Sequence, residues 1–130
     1  MAQVCCLAGI DSEKVPMFSA AFKAAGAPAL ATVARLEVSA LGRLGPDLLV
    51  CDIDGLDEDA LELIRRIRFV LPDCVIAVYT GVMKRTWGFA CHVAGANCLL
   101  SKEATQSELS DGLRDALGSG CFTDPRFAAA

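Results

Sequence analysis

A chain of 130 residues has room for one domain with one full core, and its 54% apolar content is too high for disorder. A net charge of −4, with Lys and Arg scattered rather than clustered, argues against a nucleic-acid surface. The longest apolar runs fall short of the roughly 18 residues that a membrane helix needs, and no signal-peptide pattern is visible, so a cytoplasmic chain without membrane contact is expected.

Residues Gln3 to Leu7 read as a short apolar strand. Asp11 or Ser12 can cap a helix running to about Ala25, whose apolar positions Val15, Phe18, Phe22 and Ala25 share one face. Gly26-Ala27-Pro28 breaks it. Ala29 to Ala34 is a second strand, and Glu37 to Leu44 a short helix stopped by Gly45-Pro46. Asp47 to Ile53, around the run Leu48-Leu49-Val50-Cys51, is a buried third strand. Asp57 to Phe69 is a helix with Leu61, Leu63, Ile64, Ile67 and Val70 inward. Pro72-Asp73 is a turn, and Cys74 to Tyr79 a fourth strand. Lys84 to Val93 is a helix closed by Gly95, and Asn97 to Leu100 a fifth strand. A last helix starts at Thr105 or Ser107 and runs through Leu117. The tail from Gly118 to Ala130 reads as irregular.

Five strands alternating with helices specify an α/β domain with a parallel sheet covered on both faces. The simplest topology is a flavodoxin-like, doubly wound sheet in the order 2-1-3-4-5. Ligands of such sheets bind at the carboxyl ends of the strands. Asp52, Thr80 and Lys102 fall at the carboxyl ends of the third, fourth and fifth strands. A carboxylate, a hydroxyl and an ammonium would therefore converge. That trio suits phosphoryl chemistry, with the carboxylate as nucleophile and the other two holding phosphoryl oxygens by charge-assisted bonds.

The seven cysteines, Cys5, Cys6, Cys51, Cys74, Cys91, Cys98 and Cys121, form no C-x-x-C pair. Several lie in apolar runs, where free Cys acts as a small hydrophobe. Free thiols in a reducing compartment are expected, not a metal site. The lone histidine, His92, reads as a surface or boundary residue. Trp87 and Phe89, on the fourth helix, read as core unless exposed, in which case they mark an interface.

The segment Pro46-Asp47-Leu48-Leu49-Val50-Cys51-Asp52-Ile53, with Ala60-Leu61-Glu62-Leu63 behind it, resembles response-regulator receiver domains of two-component signalling. So do Val78-Tyr79-Thr80, Ala94-Gly95-Ala96 and Leu99-Leu100-Ser101-Lys102. The spacings agree as well: 28 residues from Asp52 to Thr80 and 22 from Thr80 to Lys102. The likeness runs from about Gly45 to Ala116. It implies a non-enzymatic signalling module in which Asp52 accepts a phosphoryl group from a histidine kinase and Thr80 and Lys102 bind it. The face of the fourth helix, fifth strand and fifth helix, with Trp87, Phe89 and Leu99, would then contact partners or a second copy.

The sequence departs from that pattern where the metal should sit. The family's acidic pair, which binds Mg²⁺ beside the phosphoacceptor, falls on Ala8 and Gly9. Asp11 and Asp54 are the candidates to help Asp52 hold a metal. Gly55-Leu56, Ala60 and Leu99 replace the family's usual Met-Pro, Gly and aromatic switch residue. The expectation is a degenerate receiver, or pseudo-receiver, acting through protein contacts with weak or no Mg²⁺-dependent phosphorylation. The alternative is a conventional receiver phosphorylated on Asp52. A remoter one is a phosphatase, because Asp52-Ile53-Asp54 also resembles the D-x-D motif of haloacid-dehalogenase-type enzymes, although Leu56 departs from it. Residues 1–118 form the expected receiver-like domain. Residues 119–130, with Phe122-Thr123-Asp124-Pro125, are similar to the stretch that leads into a helix-turn-helix output domain in transcription regulators. The chain is then either a stand-alone receiver or part of a longer protein.

Overall fold

A computed structural model describes residues 4–27 and 29–128. Gln3, the expected start of the first strand, and Pro28 of the expected break lie outside the described residues, as do 129 and 130. The strands are β1 (Val4–Ala8), β2 (Ala29–Val33), β3 (Leu48–Asp52), β4 (Val75–Thr80), β5 (Cys98–Ser101) and β6 (Phe122–Thr123). The helices are α1 (Val15–Ala24), α2 (Val38–Leu44), α3 (Ala60–Val70), α4 (Arg85–Ala94) and α5 (Gln106–Ser119). Short 3-10 turns at Ser12–Lys14 and Pro125–Phe127 complete the set.

The sheet is parallel throughout, in the order β2-β1-β3-β4-β5-β6. The five expected strands are present in the expected order. The sixth corrects the reading of the tail as irregular. It adds only Phe122 and Thr123, opposite Cys98 and Leu99, too short a stretch to show a period of two.

The central strands are apolar on both faces because helices cover both. Leu49, Cys51, Ile76, Val78 and Leu99 point into one core layer with Leu63, Ile64 and Ile67 of α3 and Cys91 of α4. Leu48, Val50, Ala77, Tyr79 and Leu100 point into the other, with Phe18 and Phe22 of α1 and Leu109 and Leu113 of α5. The alternation is that of a pleated strand. Six of the seven cysteines are buried and all are free. Burial raises their thiols, to about 11 for Cys6 and Cys91 and about 12 for Cys74 and Cys98, so they pack as hydrophobes.

Two helix starts carry side-chain caps, but the expected capping of the first helix by Asp11 or Ser12 is corrected: those residues enter a 3-10 turn, and α1 begins at Val15 behind Lys14 with no side-chain cap bond. Asp59 accepts the Leu61 and Glu62 N–H groups at the start of α3. Thr105 and Glu108 form a reciprocal capping box at the start of α5. Val70 is a small correction: expected inward, it is 40% exposed at the last turn of α3.

Residues 122–128 are fastened rather than loose. The Asp124 N–H donates to the Leu99 carbonyl, and His92 of α4 touches Thr123 Oγ1 through Nε2 at 3.2 Å. The Arg126 guanidinium reaches Asp124 and Glu108, each at 3.0 Å. Arg126, helped by the Thr105 N–H, holds the Glu108 carboxyl at about 2. A carboxyl depressed in the folded state stabilises above its unfolded value and loses that effect as pH falls. Stability should therefore drop between about pH 4.5 and 2 through this group. Urea denaturation at a series of pH values and low salt, comparing wild type with Glu108→Gln, should show a flatter acid limb in the variant. Identical limbs would remove Glu108 as a contributor.

Candidate functional site at the carboxyl edge of the sheet

Asp52 closes β3, Thr80 closes β4, and Lys102 follows β5 directly. The register carries these ends to one place. Asp52 lies opposite Tyr79, and Thr80 opposite Ser101. The Lys102 N–H continues the ladder by donating to the Thr80 carbonyl at 3.0 Å.

The expected trio does converge, but Asp54 stands at its centre. Lys102 Nζ lies 2.9 Å from Asp52 Oδ2 and 3.1 Å from Asp54 Oδ2, so one ammonium bridges two carboxylates. The Thr80 hydroxyl donates to Asp54 Oδ1 at 2.7 Å. The Gly81 N–H donates to Asp54 Oδ2 at 2.7 Å. Thr80 Oγ1 in turn accepts the Val82 N–H at 3.1 Å, which starts the loop toward α4.

The local sequence explains how Asp54 arrives there. Asp52 Oδ1 accepts the Asp54 N–H at 2.9 Å, the side-chain-to-backbone bond of an Asx turn. Gly55 follows at φ +68°, a conformation that Asp-Gly readily adopts. The chain folds back at once, and the Asp54 side chain is returned to the sheet edge instead of leaving with the loop.

Charge and burial act against one another here. Burial pushes the Asp54 carboxyl up. The Gly81 N–H, the Thr80 hydroxyl and Lys102 together outweigh it and hold the group below its ordinary value. Lys102 is likewise opposed by burial, yet Asp52 and Asp54 raise it above the usual lysine range. The Asp54 carboxylate and the Lys102 ammonium are thus both charged near neutral pH.

Beside Asp52 lies an open cleft of about 520 Å³, lined among others by Gly9, Leu36, Asp52, Asp54, Asp57 and Glu58. Its wall at the end of β1 is apolar. Ala8 is fully buried, and a side chain begun at Gly9 would meet Leu36 Cγ at 3.5 Å and the Asp52 carbonyl at 3.8 Å. Asp11 is exposed, at the start of the Ser12–Lys14 turn. Among the described residues, no group of three or more His, Cys, Asp or Glu side chains is arranged to hold a metal ion.

The expected interface residues part company. Phe89 is 69% exposed and so is available on the outer side of α4. Trp87 is half-buried against the core, and its indole N–H has no partner among the described residues. Leu99 requires correction: it is 1% exposed, beneath α4 and Phe127. The outer edge of β5 is occupied, because β6 pairs along it. His92 is a surface residue as expected, with Nδ1 2.7 Å from the Ala96 carbonyl oxygen. Val93 was not singled out, and it stands 66% exposed one turn from Phe89. The spacing of four on one helix was the available signal.

No protein-family model matches the chain, and no curated protein matches it in sequence. Solved structures do match. The isolated REC domain of RcsB from Salmonella enterica serovar Typhimurium, in the presence of phosphomimetic BeF3−, superposes with a TM-score of 0.81 at 17% identity, covering 99% of this chain and 98% of that one. A LuxR-family two-component response regulator from Aurantimonas sp. SI85-9A1 gives 0.76 at 20% identity, over 99% and 94%. A response regulator from Thermotoga maritima gives 0.77 at 21% identity, over 91% and 99%. The chain has the flavodoxin-like fold of response-regulator receiver domains, with one short extra strand. No helix among the described residues is long and apolar enough to cross a membrane.

Proposed function

We propose that the chain is a signal-transduction receiver module of two-component type that works through protein contacts, with weak or no Mg²⁺-dependent phosphorylation of Asp52. The observation that carries this reading is the end of β1. Where a pair of metal-binding carboxylates would stand, the chain has Ala8, buried in the core, and Gly9, which with Leu36 lines the cleft beside Asp52. Mg²⁺ needs near-octahedral oxygen ligands and sheds its waters reluctantly. An apolar wall supplies no such ligand, and Asp52 is already paired with Lys102. Both oxygens of Asp54 are engaged by protein donors, so its help with a metal would break those bonds.

The partner side of the reading rests on α4. Phe89 and Val93 form an exposed apolar step on its outer surface, available to a histidine kinase, another signalling protein or a second copy. Contact through the β5 edge is disfavoured, since β6 occupies it. With α4 as contact surface and no catalytic step assigned to any residue, the proposed role is that of a binding module, not an enzyme.

The test is incubation with a small phosphodonor and millimolar Mg²⁺, followed by intact-mass measurement. Wild type is expected to show no stable mass gain beyond that of Asp52→Asn. A stoichiometric gain lost in Asp52→Asn would overturn the reading and support a conventional receiver.

A further inference from the structure

We propose that the Asp54 carboxylate is a built-in stand-in for a phosphoryl group, keeping the Thr80–Gly81–Lys102 switch engaged without phosphorylation. The inference rests on reading Asp52, Thr80 and Lys102 as a phosphoryl-type site. A phosphoryl group on Asp52 would need donors for its peripheral oxygens. The site offers the Thr80 hydroxyl, the Gly81 N–H and the Lys102 ammonium, and all three already bond to Asp54, at 2.7, 2.7 and 3.1 Å. Asp54 is thus held as an oxyanion ligand would be, by one hydroxyl, one backbone N–H and one cation.

The placement is built, not incidental. The Asx turn on Asp52 and the turn through Gly55 return Asp54 to the sheet edge. Thr80 is fully buried, so its hydroxyl must find a partner within the protein, and Asp54 is that partner. The same hydroxyl accepts the Val82 N–H, which ties the β4–α4 loop to the occupied site.

Electrostatics then sets the competition. A phosphoryl group carries about −1.5 to −2 charges at neutral pH. Placed on Asp52, it would share the single ammonium of Lys102 with the Asp54 carboxylate. Like charges at such separations repel, the more strongly where water is partly excluded. Asp54 would have to leave, giving up its bonds to Thr80 and Gly81, before the newcomer could use them. The Asp54 carboxylate therefore both mimics the modification and opposes it.

The experiment uses the full chain, ¹⁵N-labelled, as wild type, Asp54→Ala and Asp54→Asn. Asp54→Asn keeps the size of the side chain and serves should Asp54→Ala fold poorly. Hydrogen exchange at the Gly81 amide is expected to speed up about tenfold or more in the variants, the loss of a bond to a charged acceptor. Amide resonances from Val82 to Trp87 are expected to move with it. Inorganic phosphate should bind the vacated donors in Asp54→Ala and return these resonances toward wild-type positions, while leaving wild type unmoved. Unchanged Gly81 exchange in both variants would overturn the proposal. So would phosphate shifting wild type as much as the variant, or failing to restore the variant. None of these readings needs Mg²⁺ or a phosphodonor. A mass gain on Asp52 sinks the proposed function, and a Gly81 amide indifferent to Asp54 sinks this inference.

Discussion

Phe127→Ala should cost about 3–5 kcal/mol at its site, the usual range for a buried aromatic cut to a methyl. Phe127 is 2% exposed and belongs to the core layer with Leu99 and Cys91. It lies beside Gly88 of α4, where an added methyl would stand 3.4 Å from its ring and 2.8 Å from Leu99. Gly88 thus makes the room that Leu99 and Phe127 fill. Without the ring, the segment from Phe122 to Ala128 keeps the Asp124–Leu99 backbone bond, the Arg126 ion pairs and the Arg85 bond to the Ala128 carbonyl. Of these, the Arg126–Glu108 pair and the Arg85 bond are exposed and worth little individually, which leaves chiefly the contacts of buried Asp124 to hold the segment. The segment should therefore open locally before the domain unfolds, because a peripheral segment can open with a free energy far below the global value. Hydrogen exchange should show lost protection at Asp124 and Phe127, with β1, β3 and β4 unchanged. Uniform loss across the sheet would show instead that the segment is part of the global folding unit. Opening would also uncover β5 and Leu99, so the α4–β5 surface would gain apolar area, visible as increased dye binding.

Arg68→Met should destabilise the whole domain by about 2–4 kcal/mol, because bonds from a charged donor are worth about 1.5–3 kcal/mol each and the exposed acceptors recover part by hydration. The Arg68 guanidinium donates to the carbonyls of Leu71, Pro72, Cys74 and Gly95 and to the Asn97 side chain. One side chain thus joins the end of α3, the turn into β4 and the turn between α4 and β5. Asn97, which it orients, also accepts the Ile76 N–H on β4 at 2.9 Å. The melting temperature should fall by roughly 10 °C for a domain of this size. Arg68→Lys should recover only a small part, since a single ammonium cannot reproduce a planar fork reaching several carbonyls. A melt of Arg68→Met within about 2 °C of wild type, well under 1 kcal/mol, would show that water replaces the clamp.

The two predictions concern residues that the sequence did not mark, and the reasons differ. Arg68 sits beside Arg65 and Arg66, and all three read as a solvated helix face. Arg65 and Arg66 do pair with Glu62 and Glu58 at the surface. Arg68 is separated from them only by its position at the helix end, where free carbonyls from three segments meet. Phe127 follows a Pro and a two-residue strand, and neither gives a periodicity to read. Its burial depends on Gly88, thirty-nine positions earlier in the chain.

The candidate site was legible to a different depth at each residue. Asp52, Thr80 and Lys102 could be placed because strand ends are visible as apolar runs that stop, and parallel pairing carries such ends to one edge. Asp54 was visible as a carboxylate but not in its role. From the sequence it was a candidate metal ligand. In the fold its oxygens face Thr80, Gly81 and Lys102. Leu99 was placed correctly on β5 and wrongly on the surface, since what covers it comes from the far end of the chain.

The sequence by itself determined the α/β alternation, the order of the five main strands and the gathering of Asp52, Thr80 and Lys102. These follow from hydrophobic period, turn residues and the right-handed crossover, which act locally or by general rule. It also determined that Ala8 and Gly9 bring no carboxylate to that edge. Only the tertiary structure decided which groups Asp54 bonds, what covers β5 and where Arg68 reaches. Each of these is a choice among partners distant in sequence, settled by where a turn points a side chain and by which buried polar group would otherwise go unpaired.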